Sequence, residues 1–420
     1  MLTDIQYTLI NTSAEAEKTP ATANLQDTSG KGCLPVKAAF LTNCIAPYFL
    51  PVLRVLTNSI KDFHVFISTP MEKDRPWEPD WNGVNVTLQK SYSTRNSHTF
   101  KEGFTERFER HFPYDTLALL FRYRPDVIVS AQLGFRTIQA AIYRLLHRSC
   151  RLVIWADLSK HTEREIGRGR SAVRRYLLGL ADAVLVTGKS GFEYVQDMGV
   201  PKDRIFIAPY VTEMAPFQAA PLVKDAHVIR RLLYVGQLIE RKGLEQFLGA
   251  LVQWGEKYKN KTCEMWFVGD GPLRKRFEEF PTPLNITLRF FGNVPYNQIP
   301  SYFASAGIFV FPTLADTWGL VVNEALAAGL PVLGSRYGQA VEELVHDGTN
   351  GWTFYTDHPA ELQNALESAM NCPIPKIMEM SIASRQTSRR LTPVYSAQCF
   401  LRAIGSRSKS EIQPEAIARE

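Results

Sequence analysis

The chain has 420 residues, of which 45% are hydrophobic and 21% are charged. This composition excludes wholesale disorder, and the length suits two α/β domains rather than a single core. Lys and Arg outnumber Asp and Glu only by 48 to 42, so nucleic acid is not an expected partner, whereas phosphates or a membrane surface are mildly favoured.

The cysteines and the N-terminal segment indicate where the protein works. The six cysteines include no C-x-x-C pair and no histidine cluster at metal-ligand spacing, so we expect a reduced compartment and no metal site. Residues 1–32 are polar and lack the basic start and apolar stretch of a signal peptide. No apolar run of about 18 residues is present. The expected location is therefore cytoplasmic.

The first half of the chain alternates short β-branched runs with helical patterns. Such runs are typical of the buried strands of a parallel sheet, and their alternation with helices predicts a doubly wound α/β fold. A long helix is predicted over 104–123. The predicted strands lie at 36–41, 64–68, 84–88, 126–130, 151–156, 183–187 and 204–208.

A second alternating series predicts a second Rossmann-like domain with a parallel sheet. Its strands are predicted at 231–235, 265–268, 286–291, 308–311 and 331–334. A stretch rich in proline and alanine separates the two series and is typical of a connector. The predicted organisation begins with a disordered polar tail at 1–32, an N-terminal Rossmann-like domain at 33–212 and a connector at 213–228. A C-terminal Rossmann-like domain at 229–390 follows, then a helix at 391–405 that could return to the N-terminal domain, and a tail at 406–420.

The turns that follow the strands are the candidate sites, because ligands of open α/β sheets bind beyond the carboxyl ends of the strands. In the second domain, the turn at 236–243 places Lys242 on a loop that leads into a helix. A lysine there can neutralise a diphosphate, although a solvated lysine explains this segment equally well. The glycines at 269–272 indicate by themselves only a turn.

The strongest pattern is a loop that leads into a helix beginning near Trp318. Asp316 and Glu324 are eight residues apart, which is about 12 Å along a helix and matches a nucleotide sugar lying lengthwise. In that pose the backbone N–H groups of Trp318, Gly319 and Leu320 bind the diphosphate. Asp316 then faces the sugar, and Glu324 accepts hydrogen bonds from the ribose hydroxyls. The alternative is that Asp316 is present only because the helix dipole favours an acidic residue there, and that Glu324 faces solvent.

Five segments of the second domain resemble family 4 glycosyltransferases. They lie at 236–243, 269–272, 291–294, 316–329 and 338–351. The resemblance implies the GT-B fold, in which two Rossmann-like domains face each other. It also implies metal-independent transfer from a nucleotide diphosphate sugar with retention of anomeric configuration. The nucleotide sugar is then a co-substrate, and no cofactor is expected.

The resemblance also assigns donor-binding residues. Asp316 and Glu324 occupy the family's motif of an acid, seven residues and Glu, with Asp in place of the usual Glu, so Asp316 is a catalytic candidate. Lys242 matches the diphosphate lysine. Gln237 stands where an arginine is usual, and Arg241 is the candidate to compensate. The further donor candidates are Gly236, Gly269, Trp318, Gly319 and Leu320. Asn293 and Val294 are also candidates, because they match a loop that faces the nucleotide base in the family. The alternative is that this loop is an ordinary turn.

In the first domain the resemblance is weaker. The family's glycine-rich loop after the first strand is replaced by a segment with Asn43, Pro47 and Tyr48, which we assign to the acceptor side or to the diphosphate. His161 lies in the region where many relatives place an active-site histidine, but it is out of register. A surface histidine is an equal alternative, and Asp157, nearer to the strand end, is a rival catalytic candidate.

Together these assignments predict a retaining glycosyltransferase with a sugar or lipid-linked hydroxyl acceptor, acting in cell-surface polysaccharide or glycolipid biosynthesis. A sugar-nucleotide epimerase of the same fold and a scaffold that has lost turnover are the alternatives. The basic segment 164–175 either meets an anionic membrane surface or is an ordinary solvated face.

Overall fold

A computed structural model of the chain describes residues 33–72, 79–99, 105–163 and 167–405. The tails predicted at 1–32 and 406–420 lie outside the described residues. The described residues from Leu34 onward form one compact unit, which contains two large parallel sheets and one antiparallel hairpin.

The first large sheet has seven parallel strands. Its central strands are mostly apolar and buried, because helices cover both faces of a parallel sheet. The strands of the first half are β1 (Leu34–Thr42), β2 (Ile60–Ile67), β3 (Val86–Leu88), β4 (Ser91–Thr99), β5 (Thr105–Pro113), β6 (Val127–Ala131), β7 (Arg151–Trp155), β8 (Ala183–Val186) and β9 (Ile205–Ile207). The order in the sheet is β3-β2-β1-β6-β7-β8-β9.

Helices cover both faces of this sheet. One face packs against α1 (Leu50–Ser59) and against α14 (Pro393–Gly405), the last described helix. Phe400 of α14 meets the Trp155 ring edge-on at 5.2 Å, and Arg151 donates a hydrogen bond to the Ile404 carbonyl. The opposite face packs against α2 (Thr116–Tyr123), α3 (Phe135–Leu146), α4 (Arg168–Leu180) and α5 (Lys189–Asp197).

The prediction of one helix over 104–123 is wrong for its first half. β5 pairs with β4 in an antiparallel hairpin, and the chain becomes helical only at Thr116. Tyr92 lies opposite Phe112, and Arg95 opposite Glu109. Such aromatic and opposite-charge pairs across strands stabilise a hairpin. The prediction of a helix considered only the residues of β5 itself, so it did not take these contacts with β4 into account.

The second large sheet has six parallel strands in the order β12-β11-β10-β13-β14-β15. They are β10 (Leu232–Val235), β11 (Cys263–Val268), β12 (Ile286–Gly292), β13 (Ile308–Phe311), β14 (Val332–Ser335) and β15 (Gly351–Phe354). The helices are α6 (Ala215–Gln218), α7 (Leu244–Lys257), α8 (Arg274–Glu278), α9 (Ile299–Ala304), α10 (Leu320–Ala327), α11 (Gln339–Leu344), α12 (Pro359–Asn371) and α13 (Ile374–Ser388).

The predicted fold class is confirmed, since two Rossmann-like halves each carry a parallel sheet. The loops after the carboxyl ends of both sheets meet at one cavity. Among the described helices, none is long and apolar enough to cross a membrane.

Candidate functional site

A cavity of about 1230 Å³ lies between the two sheets and is lined by loops of both. This is the position in which open α/β folds bind ligands. Fourteen of the residues predicted from the sequence line it: Asn43, Pro47, Tyr48, Asp157, His161, Gly236, Gln237, Arg241, Lys242, Asp316, Trp318, Gly319, Leu320 and Glu324.

The loop after β10 holds Lys242 at the cavity wall, directly before α7. Gly243 has a φ of +64° and lies against the Pro312 carbonyl, where an added Cβ would be only 2.0 Å from the oxygen. Only glycine fits this position. The Tyr234 hydroxyl donates to the Gln237 carbonyl at 2.7 Å. These contacts fix the loop, so Lys242, next to Gly243, is held in place before any ligand binds.

Asp316 and the two cations of this loop form a mostly buried cluster. The Lys242 Nζ lies 2.6 Å from Asp316 Oδ2, and an Arg241 guanidinium nitrogen lies 3.6 Å from the same oxygen. Burial alone would raise the pKa of Asp316. The charges of Lys242 and Arg241, with hydrogen bonds from Lys242 and the Trp318 backbone N–H, lower that pKa below its ordinary value. Asp316 is therefore ionised at neutral pH.

The amino terminus of α10 points into the same cavity. The helix begins at Leu320, two residues later than predicted. Gly319 has a φ of +98°, and an added Cβ there would lie only 2.6 Å from the Phe311 ring, so the position requires glycine. The first N–H groups of a helix have no intrahelical acceptor, and the helix dipole adds positive potential. Since Gly319, Leu320 and Val321 line the cavity, an anion can bind there.

Glu324 lies one turn further along α10 and is buried. The Tyr296 hydroxyl donates to Glu324 Oε1 at 2.9 Å. Burial raises the pKa of Glu324 to about 7, and this hydrogen bond opposes the shift only in part. Glu324 lines the cavity, and a buried carboxylate that is costly to ionise gains by accepting hydrogen bonds from a ligand.

Asn323, beside Glu324, joins α10 to the first domain. The Trp318 indole N–H donates to Asn323 Oδ1 at 3.1 Å, and Asn323 Nδ2 donates to the Tyr210 carbonyl at 2.8 Å. Asn323 is buried. Asn323, Tyr210 and Tyr296 were not predicted from the sequence. Asn323 lies within the segment 316–329, but its role depends on Tyr210, which is 113 residues away, and Tyr296 is 28 residues from Glu324.

Asp157 faces Asp316 from the first domain. Burial raises the pKa of Asp157 to about 6, against a hydrogen bond from Tyr210, and the negative charge of Asp316 raises it further. Asp157 Oδ1 is shielded from solvent and has no hydrogen-bond partner among the described residues. A buried polar atom without a partner is costly, so a ligand hydroxyl at this oxygen would be stabilised.

The remaining first-domain candidates also line the cavity. The His161 ring meets the Tyr337 ring edge-on at 5.3 Å, and the Tyr48 ring meets Tyr210 in the same way at 5.7 Å. Asn43 accepts a hydrogen bond from the buried Arg136, a residue that the sequence analysis missed. Burial lowers the pKa of Arg136 to about 10. The hydrogen bond from Arg136 therefore holds the loop that carries Asn43 in place.

Three predicted donor residues do not line the cavity. The Gly269 N–H donates to the Gly292 carbonyl at 2.8 Å, and a Cβ on Gly269 would lie 2.1 Å from the Gly236 carbonyl. The glycine is therefore needed for backbone packing. Asn293 is exposed and Val294 partly exposed. Among the described residues, no group of three or more His, Cys, Asp or Glu could hold a metal ion.

Comparison with known proteins agrees with this geometry. Residues 229–372 match the family described as Glycosyl transferases group 1. The sulfoquinovosyl transferase SQD2 of Arabidopsis thaliana is 27% identical over 135 residues, which are 32% of this chain and 25% of that protein. The chain thus spans only a quarter of the length of this relative.

Solved structures match over nearly the whole chain. The lipopolysaccharide outer core galactosyltransferase WaaB covers 88% of this chain and 99% of its own, with a TM-score of 0.65 and 14% identity. Anabaena HepE in complex with UDP and glucose covers 89% of this chain and 100% of its own, with a TM-score of 0.63 and 15% identity. The chain therefore has the GT-B fold, and residues 229–372 of its second domain are similar to the group 1 glycosyl transferases.

Proposed function

We propose that the protein is a retaining glycosyltransferase that moves a sugar from a nucleotide diphosphate sugar to a hydroxyl acceptor. One observation carries the proposal: a single cavity between the two sheets combines fixed positive charge with two buried carboxylates. Lys242, Arg241 and the start of α10 supply the positive charge. Asp316 and Glu324 are the carboxylates. This set suits a ligand with an anionic centre and hydroxyl groups at both ends.

The donor lies lengthwise along the start of α10. Its diphosphate binds the N–H groups at Gly319 and Leu320 and the charge of Lys242, which makes a metal ion unnecessary for neutralisation. The ribose hydroxyls donate to Glu324, and the sugar hydroxyls donate to Asp316. Binding requires Lys242 to divide its hydrogen bonds between Asp316 and the diphosphate, which an ammonium with three donors can do.

The transfer proceeds with retention and without a covalent enzyme intermediate. The acceptor oxygen attacks the anomeric carbon from the face that the diphosphate leaves. The bond from that carbon to the phosphate oxygen breaks, and the acceptor proton passes to the departing diphosphate. The protein contributes by holding both substrates and by stabilising the negative charge on the leaving group. Asp157 and His161 lie on the acceptor side, where Asp157 Oδ1 can accept from a hydroxyl.

Relatives suggest the first substrates to test. One acts as a sulfoquinovosyl transferase, one is a lipopolysaccharide galactosyltransferase, and one was solved with UDP and glucose. We therefore propose UDP-sugars as donors and a step in polysaccharide or glycolipid synthesis, on the cytoplasmic side.

A screen of nucleotide sugars tests this function. A matching donor should raise the melting temperature, as any ligand that binds only the folded state does. With an acceptor, the donor should be consumed, and NMR of the product should show the donor's anomeric configuration. Inversion, a changed sugar in the absence of acceptor, or the lack of any nucleotide effect on melting would each contradict the proposal.

Replacing Gln237 by Arg should tighten nucleotide binding. Gln237 is exposed at the cavity wall, so the longer side chain has room to reach the diphosphate. One added charge-assisted hydrogen bond should strengthen UDP binding by about 1 kcal/mol, measured by calorimetry. Gln386→Arg, on the exposed face of α13, adds the same charge away from the cavity and should change nothing. Weaker binding by Gln237→Arg would refute the position assigned to the diphosphate.

A further inference from the structure

The outward face of α3 is apolar along its whole length. Phe135, Ile138, Ile142, Leu145 and Leu146 are between 39% and 64% exposed. Their spacing of three and four residues places them along one side of the helix. We call these five residues the α3 face. A helix on a protein surface normally presents polar side chains to water, whereas this side of α3 is left exposed by the part of the chain that the structure describes.

The neighbouring helices extend the α3 face. α2 and α4 both pack against α3 on the same side of the first sheet. Phe121 of α2 and Val173 and Tyr176 of α4 are also exposed. By contrast, exposed aliphatic residues of the second domain such as Leu284 and Ile382 lie on different elements, which is ordinary for a soluble surface.

The charged residues within the three helices of this surface are of one sign. None of the three helices contains an Asp or a Glu. Exposed arginines flank the apolar residues at Arg122, Arg148, Arg168 and Arg175. The sequence analysis assigned this role to the segment 164–175 alone. Arg174 of that segment is buried and donates to Glu163 and Tyr194, and 164–166 lie outside the described residues.

We propose that the α3 face docks on the surface of an anionic lipid bilayer. The aliphatic side chains enter the boundary between headgroups and acyl chains, and the flanking arginines bind lipid phosphates. A second copy of the chain is a poorer occupant. A two-fold contact through this face sets the same patch on both subunits, and it would bring the arginines of one copy against those of the other.

Docking in this way brings the cavity to the membrane surface. Gln132 lines the cavity, and α3 begins three residues later at Phe135. Arg170, in the first turn of α4, also lines the cavity. The beginnings of α3 and α4 therefore lie beside the cavity, so that an acceptor anchored in the bilayer can present its hydroxyl there. The presentation of an acceptor at the cavity rests on the proposed function, whereas the docking on the bilayer does not.

Vesicle flotation tests the docking with the full chain and no donor. The protein should partition at least about tenfold better into phosphatidylcholine vesicles that contain an equal amount of phosphatidylglycerol than into phosphatidylcholine alone. Ile138→Ser with Ile142→Ser should reduce binding at least about tenfold, since two inserted side chains become polar. Ile382→Ser, at a 49% exposed position on α13, is the matched control and should bind as the wild type does.

The arginines are tested separately, because they account for the lipid preference. Arg148→Gln with Arg175→Gln should remove most of the difference between anionic and neutral vesicles, while Arg389→Gln should leave it intact. All of these positions are exposed, so melting temperatures and UDP binding in solution should be unchanged. Vesicle binding therefore tests the docking proposal, whereas nucleotide binding in solution tests the proposed function.

Three results would overturn the docking proposal. The first is equal partition of the wild type into anionic and neutral vesicles. The second is equal vesicle binding by the Ile138 and Ile142 double variant and the wild type. The third is a wild-type dimer in sedimentation that the double variant dissociates, which would make the α3 face a self-association surface.

Discussion

Replacing Glu324 by Gln should stabilise the unliganded protein at pH 8 by about 1 to 3 kcal/mol, because it removes an ionised carboxylate from a buried position. Gln has the same shape and can still accept the hydrogen bond from Tyr296. The pKa of Glu324 is raised to about 7 in the folded protein. The wild type therefore loses stability as pH rises from the unfolded-state pKa of about 4.5 to about 7, and stays level above that.

The same substitution should weaken donor binding, so stability and affinity move in opposite directions. The neutral amide introduced by Glu324→Gln cannot provide the charge that strengthens the ribose hydrogen bonds, and we expect a loss of about 1.5 to 3 kcal/mol for both a nucleotide sugar and UDP. Wild-type affinity for a nucleotide sugar should rise with pH through about 7 as Glu324 ionises, and the affinity of the variant should not. Thermal melting at pH 5 and 8 and calorimetry at pH 6 and 8 measure both effects.

Glu342→Gln is the matched control for this experiment. Glu342 is exposed and does not line the cavity. Glu342→Gln removes the same charge away from the site, so it should leave nucleotide binding unchanged. If Glu324→Gln also left nucleotide binding unchanged, the lengthwise pose would be wrong and Glu324 would be a structural residue.

The two large sheets could be predicted from the sequence because their strands are buried on both faces. In β6 and β8, for example, every residue is buried, and such strands are continuous apolar runs that any window along the chain detects. The β4 and β5 hairpin could not be predicted in this way. Its strands are polar and charged, and they are stabilised by pairing between residues such as Arg95 and Glu109, which a local pattern does not contain.

The same distinction applies to the site. Lys242, Asp316 and Glu324 each follow or belong to a recognisable loop or helix, and all three line one cavity. Their partners were not predictable, because Tyr296 is 28 residues from Glu324 and Tyr210 is 113 residues from Asn323. The ion pair between Lys242 and Asp316 also joins residues 74 apart. The sequence assigned these two side chains to different parts of the donor, and the structure brings them into direct contact.

Replacing Asp316 by Asn should separate catalysis from nucleotide binding. The sugar is no longer held by a charged acceptor, and a misplaced sugar should lower kcat by about 100-fold. UDP carries no sugar, so its binding should not weaken. It should become tighter, because Lys242 and Arg241 are no longer neutralised by the carboxylate that lies 2.6 Å and 3.6 Å from them.

The ion pair itself makes Asp316→Asn costly to the fold. Removing one partner of a mostly buried pair leaves the other charge uncompensated, and we expect a loss of about 1 to 3 kcal/mol of stability, part of which UDP restores by binding the same cations. Asp270→Asn is the control, since Asp270 pairs with Arg274 at 3.1 Å and does not line the cavity. It should alter neither kcat nor UDP binding. If Asp316→Asn weakened UDP as much as Glu324→Gln does, the two carboxylates would not lie at opposite ends of the donor. The proposal that Lys242 divides its hydrogen bonds between Asp316 and the diphosphate would then be wrong as well.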